Sequence, residues 1–598
     1  MLRVIFDIET DSIEAPTKLW SVVVRGADTG AVLHSTHSES GSPRDHEASL
    51  HTLMVADRIV GHNVIGYDLP VLRDLAGLRV PEDRVEDTLV LTRVLWPDLR
   101  NSDYRIDGFP KDLVGSHSLK AWGRRIGVLK GDFNHDETDW SAWTPEMQSY
   151  CEQDTLVNLE LYRHIRKFSL DRRCEELEHK VAFACRRIEE AGFGFDEEGA
   201  RRLAEKLQVR RAQLHEELVR VFPPRRIQLK TKVKEIPFNP GSREDIVRGL
   251  QELRGWKPKE MTSTRSLKDG RTKVVYKVDE EILGSLGWPE STLLLEYLMT
   301  VKRLGQVAEG QEAWRKLSRS GRIHGRINPN GAFTGRATHS NPNISAVPRG
   351  TKPYAHECRS LFIPKSGYGL VGCDAKGLEL RCLAHFMAAW DGGRYSKIVV
   401  ESDPHWENAK AFNLVRADQQ RDESNRDLEA KRDQAKTGIY ALIYGAFDAK
   451  LGSIQGKGPV AGRKMRRAFE IKNPAYKRLV DAIESKISSR QCLRGLDGRP
   501  LPIRETRTAL NTVLQSAGAV VMKHALVRLD EVLRRDYAGR ARIVGWIHDE
   551  FQIECEQGLE GACGEAAVES IRSATEAFRF RCPLDGQWKG GSSWAETH

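Results

Sequence analysis

A mixed α/β chain of several domains is the fold class this sequence predicts, and three observations predict it. The length, 598 residues, exceeds one domain and points to about three or four. Three apolar, strand-type runs end in acids: LRVIFDIETDS at the start, YGLVGCD from Tyr368 and ARIVGWIHDEFQIE from Ala541. Between them lie long stretches of helical periodicity, such as LEHKVAFACRRIEEAGFGFDEEGARRLAEKL and LLLEYLMTVKRLGQVAEGQEAWRKL. Lys and Arg exceed Asp and Glu, for a net charge of +9, which is compatible with a polyanionic partner without being diagnostic of one. The ten cysteines are scattered with no CxxC pair and no secretory signal precedes the first strand, which fits a reducing cytoplasmic compartment. No apolar run approaches the ~20 residues needed to span a bilayer.

In the opening strand Asp7 and Glu9 are two apart and point to the same face. GHNVIGYDLPVL adds Asn63 and Asp68, and YCEQDTLVNLELY adds Tyr150 and Asp154, one helical turn apart. Four carboxylates could hold two divalent ions, one activating water and one stabilising a leaving 3′ oxygen, with Tyr150 orienting the water. The DIET run alone reads equally as a carboxylate-rich surface. Asp87 stands where an apolar run begins and is read as structural. From about Leu170 the pattern turns helical, with Asp196 a helix N-cap. The basic stretch holding Arg225, Arg226, Lys230, Lys232 and Lys234 is expected to be a short linker, either meeting phosphates or simply solvated.

In YGLVGCDAKGLELRCLAH, Asp374 ends a strand and a helix begins near Gly377. The run ARIVGWIHDEFQIE reads as a hairpin with Asp549 at its tip. Two such carboxylates could hold two Mg²⁺ ions about 3.5–4 Å apart; either acid alone reads as a solvated strand end. Arg432, Lys436, Tyr440 and Tyr444 recur every four residues and share a helix face, suited to a polyphosphate and a base or merely to solvent. GAFTGRATHSNPNISAVPR is a loop rich in Gly, Pro and Asn around Arg336, and Asn511 and Gln515 lie four apart on a helix. Arg416 to Lys431 carries nine charges in sixteen residues and is expected to be an exposed helix or mobile lead-in. Near the end, Trp594 is expected to fold back onto the core, while the last residues to His598 could equally be disordered.

GCDAKGLELR, RDQAKTGIYALIYGA and GWIHDEFQIE resemble, in this order, the A, B and C motifs of family A DNA polymerases. TGRATHSNPN and LNTVLQSAGA resemble that family's primer-template-contacting segments, and GLELRCLAHFMA, VLQSAGA and WAETH are similar to replicative polymerases of short-tailed T-odd bacteriophages. The first three acidic segments resemble a DEDDy 3′ to 5′ exonuclease. The resemblance implies a ribonuclease-H-like exonuclease domain over residues 1–168, then a right-hand polymerase: thumb 169–330, palm 331–403 and 504–598, fingers 404–503. It implies template-directed DNA synthesis from deoxynucleoside triphosphates on primer-template DNA, with proofreading.

By the same resemblance each site takes two Mg²⁺, with Mn²⁺ able to substitute. Asp374, Asp549 and the carbonyl of Ala375 are the implied polymerase ligands, with Glu550 supporting. Asp7, Glu9, Asp68 and Asp154 serve the exonuclease with Tyr150. Arg432, Lys436 and His405 match triphosphate contacts. Glu379 matches the residue that excludes a 2′ hydroxyl, Tyr440 the position linked to acceptance of dideoxynucleotides, and Tyr444 the guard of the template base. Arg336, Arg507, Asn511, Gln515 and His548 match positions facing the minor groove or primer end. Lys376 departs from the family, standing where a small hydroxyl residue is usual; either a phosphate contact or solvent exposure is open to it.

A replicative helicase-primase and a single-strand binding protein are the implied partners, in the host cytoplasm if the chain is phage-encoded. Thioredoxin is not expected, because the long thumb insertion of relatives that recruit it is missing. With Asp7 six residues after Met1, the 5′ nuclease domain of bacterial relatives is expected to be absent. A nuclease-only repair enzyme would not need the Asp374, Lys436 and Asp549 set. An inactive DNA-binding scaffold would tolerate the loss of acids, and none is lost. Reverse transcription or translesion synthesis fits less well beside a proofreading site.

Overall fold

The computed structural model describes residues 1–131, 139–228, 231–265, 272–489 and 492–597. Lys230 and His598, singled out above, lie outside them. The amino-terminal sheet contains β1 (Arg3–Thr10), β2 (Leu19–Gly26), β3 (Val32–His37), β4 (Arg58–Gly61) and β5 (Val85–Asp87), in the order β3-β2-β1-β4-β5. The β1, β2 and β3 strands pair antiparallel, whereas β4 lies parallel to β1 and β5 parallel to β4. The central strand is apolar on both faces: Val4, Phe6 and Ile8 pack with Leu53 and Ile59, and Ile5 packs with Leu159 and Tyr162. The last two belong to α1 (Pro145–Ile165), which starts where Thr144 accepts a hydrogen bond from the Met147 N–H and Pro145 fills the first turn.

Helix α2 (Arg172–Ala191) leads to α3 (Glu197–Val221), whose N-cap is Asp196, accepting from the Gly199 N–H at 2.8 Å. The basic stretch that follows is not the expected open linker. Strands Arg225–Gln228 and Val233–Ile236 pair antiparallel, and Arg226 on one is bonded to Glu235 on the other at 2.9 Å. Such a cross-strand pair is what a run of alternating long charged side chains supports.

The carboxy-terminal sheet contains β6 (Tyr368–Ala375), β7 (Ala541–Ile547), β8 (Glu550–Glu556) and β9 (Gly586–Gly591), all antiparallel, in the order β7-β8-β6-β9. Helix α4 (Leu378–Asp391) leaves β6 through Gly377, whose φ of +55° a side chain would strain. Between the strands in sequence run α5 (Arg426–Ile443), α6 (Ala509–Asp536) and α7 (Glu560–Ala577). Val371, Cys373, Phe551 and Ile553 of the sheet share one core with Leu514, Val521 and Ile571 of α6 and α7. Gly518 of α6 packs against Leu378 of α4, where a Cβ would make ordinary contact with its Cδ2 at 3.4 Å.

The charged stretch from Arg416 to Lys431 is a lead-in over its first part and helix over the rest: residues 416–425 form turns, with Arg421 bonded twice to Glu429 at 2.9 and 3.1 Å, and the helix starts where Asn425 caps it. Trp594 folds back and is fully buried against Phe193 and Phe362. Among the described residues no helix is long and apolar enough to cross a membrane.

Candidate active sites

The first candidate site sits at the end of the amino-terminal sheet. Alternation on β1 sends Asp7 and Glu9 to one face, Asp68 opens the helix Asp68–Ala76, and Tyr150 and Asp154 come from one face of α1. All five line one cavity of about 1240 Å³. Ligand atoms of Asp7 and Glu9 lie within 4.8 Å of each other and of the Cys151 sulfur. Burial, with Asp154 adding repulsion, raises the Asp7 carboxyl well above its ordinary range. Glu9 is pushed up to about 8 by burial and Asp154, and Asp68 to about 7, mainly by burial. Asp154 is raised by burial, and its Oδ1 is buried with no hydrogen-bond partner among the described residues.

Hard oxygen donors crowded to the point of repulsion, one of them orphaned, fit a Mg²⁺-type cation. Cys151 does not fit it: its thiol donates to the Asp7 carbonyl at 3.4 Å and burial keeps it protonated. Tyr150 is pushed up to about 12 by burial and Asp154, so it keeps its proton at neutral pH. Lys130 escaped the sequence reading. Its Nζ lies 2.5 Å from Asp154 Oδ2 and 4.6 Å from the Tyr150 ring centre, and no periodicity in GVLKGDF marks it. Asp87 takes the structural role expected of it, accepting from the N–H groups of Asn63, Ile65 and Leu89 at 2.9, 3.1 and 2.9 Å.

A stability consequence follows from these carboxyls. A folded-state pKa above the unfolded value gives stability that is complete below about pH 4 and is lost as pH rises through the folded value. With divalent ions chelated, the melting midpoint of the amino-terminal part should fall by about 5 °C or more between pH 5 and 8. Asp68→Asn should flatten that profile. A parent midpoint independent of pH over this window would contradict the cluster's electrostatics.

The second candidate site lies at the end of the other sheet. Register places Asp374 opposite Glu550, so the β7–β8 turn carrying His548 and Asp549 meets the end of β6, and the Ala375 N–H donates to the Asp549 carbonyl at 3.0 Å. Glu550 is buried beneath, accepting from the Trp594 indole at 2.5 Å and from Gln552 at 2.6 Å. Glu379, in the first turn of α4, accepts from the Tyr444 hydroxyl at 3.0 Å, and burial raises its carboxyl, aided by Asp549.

Along α5 the rings of Tyr440 and Tyr444 are 6.4 Å apart, and that of His405 is 6.1 Å from Tyr440. Burial and Arg432 hold His405 down to about 4, so its imidazole is neutral. Arg432 is bonded to Asp403 at 2.6 Å, and Asp403 also pairs with Arg421 at 2.9 Å and caps the helix bearing His405. Asp403 is a second residue the sequence reading missed, since an isolated acid before a proline reads as a helix cap and nothing more. Lys436 is exposed on the same helix.

Arg336 and His548 are exposed beside Glu379 and Asp549, and Asn511 and Gln515 lie half-buried in the first turns of α6. Arg507, also exposed, donates to the Gly445 carbonyl at 2.7 Å and lies 4.5 Å over Phe447, in the segment after α5. Lys376 is exposed, as one of the two courses open to it has it, and its Nζ also pairs with Asp585 at 2.9 Å.

The model of DNA polymerase family A matches residues 204–596. The DNA-directed DNA polymerase of Enterobacteria phage T3 is 31% identical, over 90% of this chain and 92% of its own. That of Escherichia phage T7 is 30% identical over 100% of both chains. A solved structure, the POL domain of Pol1 from M. smegmatis in complex with DNA primer-template and dNTP, is 20% identical. It aligns with TM-score 0.73 over 99% of this chain and 96% of that one, a likeness of fold. Matches of this extent show the family: the chain belongs to DNA polymerase family A and is a DNA-directed DNA polymerase.

Proposed function

We propose that this polymerase extends a primer at the Asp374–Asp549 site and removes 3′-terminal nucleotides at a separate site formed by Asp7, Glu9, Asp68 and Asp154. The observation that carries the reading is the convergence of these four acids and Tyr150, from three distant segments, on one cavity remote in sequence from Asp374 and Asp549. The sheet order β3-β2-β1-β4-β5 supports a ribonuclease-H-like exonuclease domain over residues 1–168. On this reading 169–330 is the thumb, 331–403 and 504–598 the palm and 404–503 the fingers.

Asp374, Asp549 and the Ala375 carbonyl would hold Mg²⁺ at the polymerase site, as the four acids would at the other. When bound, the ions supply charge stabilisation for phosphoryl transfer. The side chains do the positioning. Arg432 and Lys436 take the triphosphate, with neutral His405 offering a hydrogen bond. Glu379, braced by Tyr444, stands against the sugar and rejects a 2′ hydroxyl by exclusion. Arg336, Arg507, Asn511, Gln515 and His548 line the primer side. In the nuclease site Tyr150, protonated throughout neutral pH, orients the attacking water.

The test uses a 5′-labelled primer on a longer DNA template with Mg²⁺. Full extension is expected with the four deoxynucleotides and stepwise shortening without them. Extension with no shortening at any enzyme concentration would overturn the exonuclease assignment.

A further inference from the structure

Beneath the loop that presents Arg336 lies a cluster of buried charges outside the acid sets of both sites, touching the first cavity only through Asn330. Glu178 of α2, Lys523 of α6, Asp497, Arg499 and Asn330 are all at most 8% exposed. Arg499 donates to Asp497 from Nε at 3.0 Å and from Nη2 at 2.6 Å, to Glu178 from Nη2, and to Asn330 Oδ1 from Nη1 at 3.3 Å. Lys523 donates to Glu178 at 2.6 Å and to Asn330 at 2.8 Å, and the Asn330 amide donates to Glu178 at 2.6 Å. Two acids face two bases, so the cluster is neutral and complete in itself. It does not await a ligand.

Its outer surface is the loop. Gly335 has a φ of +83°, and a Cβ there would fall 2.5 Å from Arg499 Nη1. The loop's backbone thus rests directly on the guanidinium. It is closed on itself by Gly335 N–H to Ala332 carbonyl at 2.8 Å and by Ala332 N–H to Arg336 carbonyl at 3.1 Å. Turning Arg499 would tilt this unit, and Arg336 is the next residue after the point of contact. Apolar side chains of similar volume would stabilise such a core at least as well as ions do. A planar fork with five fixed donors instead specifies one orientation.

We infer that Arg499 is a positioning residue for primer binding: clamped by Glu178, Asp497 and Asn330, it supports the 331–337 loop in the pose from which Arg336 reaches the primer strand. The inference rests on the primer-side reading of Arg336, and a double-mutant cycle separates the two. Primer extension is measured as kcat and KM for primer-template in the parent, Arg336→Ala, Arg499→Lys and the double variant, beside each melting midpoint.

Arg336→Ala should lower kcat/KM about tenfold, the worth of one charge-assisted contact. Arg499→Lys, which keeps the charge but not the fork, should lose about threefold or more, chiefly in KM for DNA. The double variant should be no worse than Arg336→Ala alone. Multiplying losses, or a lowered midpoint with unchanged kinetics in Arg499→Lys, would make the cluster merely structural and overturn the inference. An unchanged Arg336→Ala enzyme would bring down the primer reading of Arg336 and the inference with it. If Arg499→Lys does not fold, Asp497→Asn completes the same cycle, because it keeps the side-chain volumes and loosens only the guanidinium's anchor.

Discussion

Asp374→Ala is expected to reduce primer extension by about a thousandfold or more while primer shortening continues at the parental rate. The carboxylate stands at the end of β6, and hydrogen-bonded register holds the Asp549 turn beside it. On the proposed reading, removing one of the two carboxylate ligands removes charge that would stabilise the transferring phosphoryl group, several kcal/mol of transition-state energy. Each ~1.4 kcal/mol is a factor of ten. Asp549→Ala should behave alike, and the double variant scarcely worse, because the two act as a unit. Asp7→Ala is the reciprocal case: extension kept, shortening lost. Time courses on the labelled primer with and without nucleotides decide it. Loss of both activities in either single variant would mean one shared site.

The second large effect is on stability. Trp594 is 0% exposed, edge-on to Phe362 with ring centres 5.3 Å apart, beneath the Arg359 guanidinium at 4.4 Å, and its indole N–H is bonded to Glu550. Trp594→Ala should cost ~3–5 kcal/mol for the lost packing and cavity, and another ~1–3 kcal/mol for the lost hydrogen bond to a buried carboxyl. Trp594→Phe keeps most of the packing and should show little more than the second cost. Urea midpoints of the three proteins measure the difference. A shift under ~1 kcal/mol for the alanine variant would contradict the burial described here. Glu550 adjoins Asp549, so the alanine variant should also extend primers more slowly at temperatures where it stays folded.

The residues that were legible in the sequence are those whose neighbours in the chain announce them. Asp7 and Glu9 stand two apart on one apolar strand, Asp374 lies at the end of another, Asp549 tops a hairpin, and the Arg432-to-Tyr444 face repeats every fourth residue. Asp196 could be placed as a cap from its own position before a helical run. Lys130, Asp403 and the Arg499 cluster were not legible for a common physical reason. Each has a deciding partner on another segment, Asp154 for Lys130, Arg432 for Asp403 and Glu178 for Arg499, and a lone charge in sequence does not name such a partner. Lys376 shows the limit most clearly: its partner, Asp585, belongs to the approach to β9, more than two hundred residues on. The 225–236 hairpin was missed because its alternation is written in charged residues, where strand patterns are usually sought in apolar ones.

Asp403 has a bearing on how salt acts on the enzyme. Arg432, proposed for the triphosphate, is already matched by a carboxylate, and Asp403 keeps Arg421 as a second partner when Arg432 turns away. Nucleotide capture at this position is then an exchange of one anion for another, with few free counterions released. Exposed Lys436 forms no ion pair among the described residues, and on the same proposal it would supply the screened, long-range part of the attraction. If Arg432 and Lys436 take the triphosphate as proposed, ionic strength should act on nucleotide affinity mainly through Lys436, and less than the number of basic groups around the pocket would indicate.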